Sequence, residues 1–196
     1  MMTAYRRWAC GLLAGVLVLL IAAGAVVWAA DPCFYLRLPE GGKAVAFNER
    51  YQNAGLLRQA QADTVVLGTS MVANYRPSQI SEVFGGSAVR LTVPDGYLSE
   101  FDTTQEAVFA SHPPERVIFG LDANILVRDE GGLTGALPEY LYNTNPLDDV
   151  RYFLNRDTLY YSVYTLMTLG RGGGTPVDEL FTWDGDIWWN HMDRPG

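Results

Sequence analysis

A chain of 196 residues, 48% hydrophobic and 18% charged, holds enough apolar material for one folded domain and too much for disorder. Fourteen basic against twenty-two acidic residues leave a net charge of -8, and the one marked basic cluster, Arg6-Arg7, precedes an apolar run, so nucleic acid is not an expected partner. Two cysteines and two histidines, with no C-x-x-C and no H-x-x-x-H, give no metal-ligand spacing, and no cofactor is expected.

From Trp8 to Ala30 the chain carries twenty-three residues without a charge. At about 1.5 Å per residue a helix of that length crosses a hydrocarbon core of about 30 Å. Arg6 and Arg7 set residues 1–7 in the cytoplasm by the positive-inside rule, and everything after Asp31 outside. The expectation is a single-pass protein of the cell membrane with its C-terminal domain extracytoplasmic and the lipid bilayer as a partner. A cleavable signal peptide is the alternative, since Ala29-Ala30 offers small residues near the exit. The anchor is favoured because the run exceeds the usual h-region and Trp28 spoils an A-x-A site. A buried helix of a soluble protein is the third possibility. Cys10 and Cys33 lie too far apart along such a helix to form a disulfide with each other.

Residues 31–62 mix Pro, Gly and polar residues with short apolar patches and read as a juxtamembrane segment, with a helix expected from about Asn48 to Leu57. Residues 63–196 form the expected α/β domain. Asp63-Thr-Val-Val-Leu-Gly68 is a continuous apolar, β-branched run closed by Gly, the pattern of a strand buried on both faces of a parallel sheet. A helix opened by Pro77 and ended by Gly85-Gly86 follows, then a strand over 87–93 and a Pro94-Asp95-Gly96 turn. A helix over 99–111 and a strand over 116–120 complete a strand-helix alternation that calls for right-handed parallel crossovers. Val150 to Leu169 has helical apolar spacing and several tyrosines, read as packing aromatics. Gly172-Gly173-Gly174 reads as a linker, because no G-x-x-x-x-G-K-[ST] frame surrounds it.

Ligands of open parallel sheets bind beyond the carboxyl ends of the strands. Those ends carry Gly68-Thr69-Ser70, Pro94-Asp95-Gly96 and Gly120-Leu121-Asp122-Ala123-Asn124. A serine directly after a buried strand, at the head of a helical segment, exposes its hydroxyl beside backbone N–H groups that favour a developing anion. A plain helix cap is the competing role for Ser70.

In order and position these blocks resemble the SGNH (GDSL-like) hydrolases, and within them the membrane-anchored extracytoplasmic branch associated with envelope and exopolysaccharide O-acylation. The resemblance covers roughly residues 63–155. It implies a three-layer α/β sandwich with a parallel sheet, SGNH- or flavodoxin-like, here incomplete and preceded by one transmembrane helix. It further implies Ser70 as nucleophile, Gly96 as an oxyanion-hole glycine, and Asp122 or Asn124 in the oxyanion region. The sequence departs from the family in three respects: Thr69 stands in place of Asp in the first block, Asp122 in place of the oxyanion Asn, and the D-x-x-H block is absent. His191 has Trp188 at the expected offset and is the weak candidate base, while His112 follows Ser111 at a helix end. Either the residues are the N-terminal part of a longer domain, the favoured reading, or the chain is a relative that binds without catalysing.

The expected function is thus a serine acyl esterase or O-acyltransferase acting on an extracytoplasmic carbohydrate or cell-envelope polymer. The alternative is a non-catalytic envelope protein that binds a glycan or partner protein through the same crevice. A third reading is a purely structural domain in which Ser70 caps a helix.

Overall fold

The computed structural model describes residues 2–39, 42–127 and 137–182. An N-terminal helix, α1 (Met2–Ala30), is apolar over more than a membrane's thickness and almost wholly exposed along most of its length. It is followed by β1 (Lys43–Ala44), α2 (Glu49–Ala60), β2 (Thr64–Gly68), α3 (Pro77–Phe84) and β3 (Ala88–Thr92). Next come α4 (Leu98–Ser111), β4 (Arg116–Gly120), α5 (Ala123–Val127) and α6 (Glu139–Tyr142). The described chain closes with α7 (Val150–Phe153), α8 (Arg156–Gly170) and β5 (Thr175–Pro176).

The fold is mixed α/β, with a parallel three-stranded sheet in the order β3-β2-β4. The central strand, β2, is buried at every position, as its unbroken apolar run requires. Local sequence sets the ends of the surrounding helices. The Asn48 side chain caps α2 by accepting from the Arg50 N–H, and Pro77 opens α3 where a missing N–H costs nothing. The helical pattern over 150–169 resolves into two helices because Asn155 caps a new one, accepting from the backbone of Asp157 and Thr158. The glycines at 172–174 turn the chain into β5, which pairs antiparallel with β1.

Residues 31–62 contribute directly to the core. Asp31 is buried, and its carboxylate accepts from the backbone of Tyr35, Leu36 and Arg37 and from the Tyr152 hydroxyl. Val27, Cys33, Tyr35, Ala54, Leu141 and Tyr152 form one apolar cluster that joins the end of α1 to α2, α6 and α7. A second cluster packs Phe34 and Leu56 against Val65, Leu67, Val89 and Leu91 of the sheet. Gly55 is the close-approach point of α2: a Cβ there would collide with the carbonyl of Cys33 and the backbone of Phe34.

Candidate active site at the carboxyl ends of the strands

The three parallel strands end together. Gly68 pairs with Thr92 on one side and Gly120 on the other, and the Val93 N–H donates to the Gly68 carbonyl at 2.9 Å. The two glycines make room for one side chain, since a Cβ on either would run into Val72. Val72 is buried and draws the chain after β2 back over the strand ends as a 3-10 turn, Ser70–Val72. The turn is held by the Val72 N–H on the Thr69 carbonyl at 3.2 Å and the Ala73 N–H on the Ser70 carbonyl at 3.1 Å.

Ser70 opens this turn and is half-buried, and among the described residues its hydroxyl has no hydrogen-bond partner. The helix-capping role belongs to Thr69, whose hydroxyl oxygen accepts from the Met71 N–H at 3.3 Å. The same hydroxyl donates to the Asp122 carboxylate at 2.5 Å, latching the end of β2 to the end of β4. The Asp122 carbonyl in turn accepts from the Ile125 N–H at 3.2 Å and starts α5. Asn124 lies on α5, and its side chain is outside the described atoms.

Gly96 sits beyond the end of β3 in the tight turn that the sequence indicates. Its N–H donates to the Val93 carbonyl at 3.0 Å, and a Cβ would come within 2.8 Å of the Phe101 ring. That N–H is committed to the turn rather than to a ligand at Ser70. His112 caps the far end of α4, before β4, and so lies at the opposite edge of the sheet from Ser70. Five residues of strand at about 3.3 Å each separate the two edges. His191 lies outside the described residues. No cluster of metal-ligating side chains occurs among the described residues.

A buried polar network lies under the β3 end, joining residues distant in the sequence. Arg50 grips Glu100 with two hydrogen bonds, at 2.6 and 3.0 Å, and donates to the Pro94 carbonyl at 3.2 Å. Glu100 also accepts from the Tyr97 N–H at 3.1 Å, and Asn53 donates to the Thr92 carbonyl at 2.6 Å. Burial pushes the neighbouring Glu49 carboxyl above its ordinary range. The network fixes the 94–97 loop beside the strand ends. Its sequence signals are the i,i+3 spacing of Arg50 and Asn53 and a Glu three residues into α4.

Comparison with protein families, curated proteins and solved structures finds no match.

Proposed function

We propose that the chain is a membrane-anchored, SGNH-like serine acyl-transfer enzyme, an esterase or O-acyltransferase, whose domain faces an extracytoplasmic carbohydrate or envelope polymer. The observation that carries this reading is Ser70 itself, a half-exposed hydroxyl with no hydrogen-bond partner among the described residues, on the tight turn that ends the central buried strand. A serine needed only as a cap would be hydrogen-bonded to the turn, and Thr69 already fills that role.

In the proposed reaction the Ser70 oxygen attacks an acyl carbonyl and its proton passes to a base. The acyl-enzyme forms as the first alcohol leaves, and water or a sugar hydroxyl then takes the acyl group. His191 is the candidate base, since His112 stands at the wrong edge of the sheet. The finer architecture belongs to the same proposal. From β2 the chain crosses to β3 on one side and then back past β2 to β4 on the other, so right-handed crossovers place α3 and α4 on opposite faces. This arrangement supports the reading as a three-layer sandwich.

The anchor and its orientation rest on two features. Arg6 and Arg7 precede the apolar run, and Val27 near its end is fully buried in the domain core. A leader cut after Ala30 would take that core residue with it.

One observation favours the rival, a non-catalytic binding module: Asp122 stands where the resembled family carries its oxyanion Asn. Fluorophosphonate labelling of the detergent-solubilised full chain separates the two. Labelling is expected in the parent and lost in Ser70→Ala, with thermal stability changed by no more than about 1 kcal/mol. Labelling that survives in Ser70→Ala rules out this nucleophile. Absence of labelling in the parent favours binding without catalysis.

A further inference from the structure

The amphipathicity of α8 is reversed. Its fully buried positions are Thr158, Ser162 and Thr165, all small and hydroxylated and each 5% exposed or less, with Leu159 and Tyr161 partly buried beside them. Its outer face carries Tyr160, Val163, Tyr164 and Met167 at i, i+3, i+4 and i+7, exposed by 46% to 66%. A helix on the surface of a water-soluble domain places its apolar stripe inward. Small residues inward and large apolar ones outward are the arrangement of helices packed against each other in lipid, where close backbone approach replaces hydrophobic burial. Ser162 donates its hydroxyl to the Thr158 carbonyl at 2.7 Å, within its own helix.

The helix that α8 packs against is α1. Its neighbour α7 touches α1 too, and a Cβ on Gly24 would meet the Phe153 Cβ at 3.9 Å. Counting about 20 residues of span from Trp8 brings the chain to Val27, so α7 and α8 meet α1 where it leaves the hydrocarbon. Trp28, 60% exposed with the Arg37 guanidinium 5.2 Å from its ring, marks the same level, and exposed tyrosines are the residues that membrane interfaces favour. Leu154, 51% exposed, extends the apolar surface between the two helices.

We propose that the outward stripe of α8 lies on the phospholipid surface, giving the domain a second contact with the bilayer beside its anchor. The occupant is lipid because α8 packs against the membrane-spanning helix and its fully buried positions are the small residues found where helices pair in lipid. The proposal rests on the reading of α1 as a span. Its consequence is orientation: two contacts hold the domain at a fixed tilt, so its crevice keeps a constant attitude to the membrane.

The test uses the full chain with Cys10→Ser, reconstituted in phosphatidylcholine vesicles containing acyl-chain doxyl lipid. Cys33 is fully buried and stays unlabelled. A polarity-sensitive fluorophore is attached at Val163→Cys, at Met167→Cys as a second stripe position, at Val18→Cys in α1, and at Val83→Cys on α3, where the side chain is 73% exposed. The expected result is blue-shifted emission that loses most of its intensity to doxyl lipid at 163, 167 and 18, and water-like, unquenched emission at 83. Quenching at 18 with water-like emission at 163 and 167 overturns the proposal and leaves the anchor standing. Emission at 163 and 167 that is shielded from water, unquenched by doxyl lipid and sensitive to protein dilution overturns it in favour of a second copy on the stripe. No quenching at 18 removes the anchor reading and the proposal with it.

Discussion

A carboxylate beside a developing oxyanion opposes acyl transfer, and the Thr69 hydroxyl, next in the chain to Ser70, holds Asp122 at 2.5 Å. The same latch that orders the crevice therefore keeps a negative charge near the proposed nucleophile. Asp122→Asn retains an oxygen that accepts from Thr69 and removes the charge. It is expected to speed labelling of Ser70 by fluorophosphonate, on the order of tenfold, which corresponds to about 1.4 kcal/mol of barrier. The second-order labelling rate of the variant beside the parent is the measurement. A slower rate would mean that the charge of Asp122 supports the site rather than burdening it. At this scale the sequence is informative about types and order and silent about partners. Gly68, Ser70, Gly96 and Asp122 are recognisable because each follows the end of an apolar run. That Thr69 rather than Ser70 engages Asp122 depends on a contact across 53 positions and on Val72 filling the space left by two glycines.

Among the elements, α2 shows how little composition conveys about packing. Its stretch mixes Gln, Asn and Gly with a few apolar residues, yet Gln52, Asn53, Ala54, Gly55 and Leu56 are all buried. The polar members are inside because each finds backbone to bond. The Gln52 side chain donates to the Pro32 and Val45 carbonyls at 3.0 and 2.9 Å, and Asn53 donates to Thr92. Gly55 is inside because the turn after α1 runs directly across it. Intrinsic propensity alone would make Gly55→Ala stabilising by about 1 kcal/mol. Overpacking against backbone that cannot yield reverses the sign, and a net loss of about 3 kcal/mol is expected. Gly170→Ala, at a helical position with nothing within 4 Å, is the control and should be neutral or stabilising by up to about 1 kcal/mol. Thermal or urea unfolding in detergent compares the two, and equal effects would contradict the close approach. The three strands and the helices between them are legible because β-branched runs and capping residues are local signals. The β1-β5 pairing is two residues long on each side and joins positions 43 and 176, so no local signal could announce it.

For the molecule as a whole, the question is where the membrane segment stops and the domain begins, and burial answers differently from hydropathy. Hydropathy runs without a break to Ala30, whereas Val27 is fully buried with Cys33, Tyr35 and Tyr152. The carbonyls of Trp28 and Ala29 at the end of α1 accept from the Arg37 guanidinium, both at 2.8 Å. The last turns of the helix thus belong to the domain. Two truncations separate the roles. Removing residues 2–21 deletes helix that is exposed from Ala4 to Ile21 apart from the half-buried Ala9, and the remaining domain should unfold at nearly the parent's midpoint in detergent. Removing residues 2–30 deletes Val27 as well and strips Arg37 of both acceptors. Full burial of one valine is worth about 1.5–3 kcal/mol, and the lost hydrogen bonds to a charged group add to it. A loss of about 3 kcal/mol or more is therefore expected of the longer truncation alone. The same packing bears on processing, because a peptidase cutting after Ala30 would produce this destabilised form. Intact mass of the protein taken from membranes should retain residues 1–30. A product that begins at Asp31 and is as stable as the shorter truncation would show that the helix end is dispensable and that the segment serves as a leader.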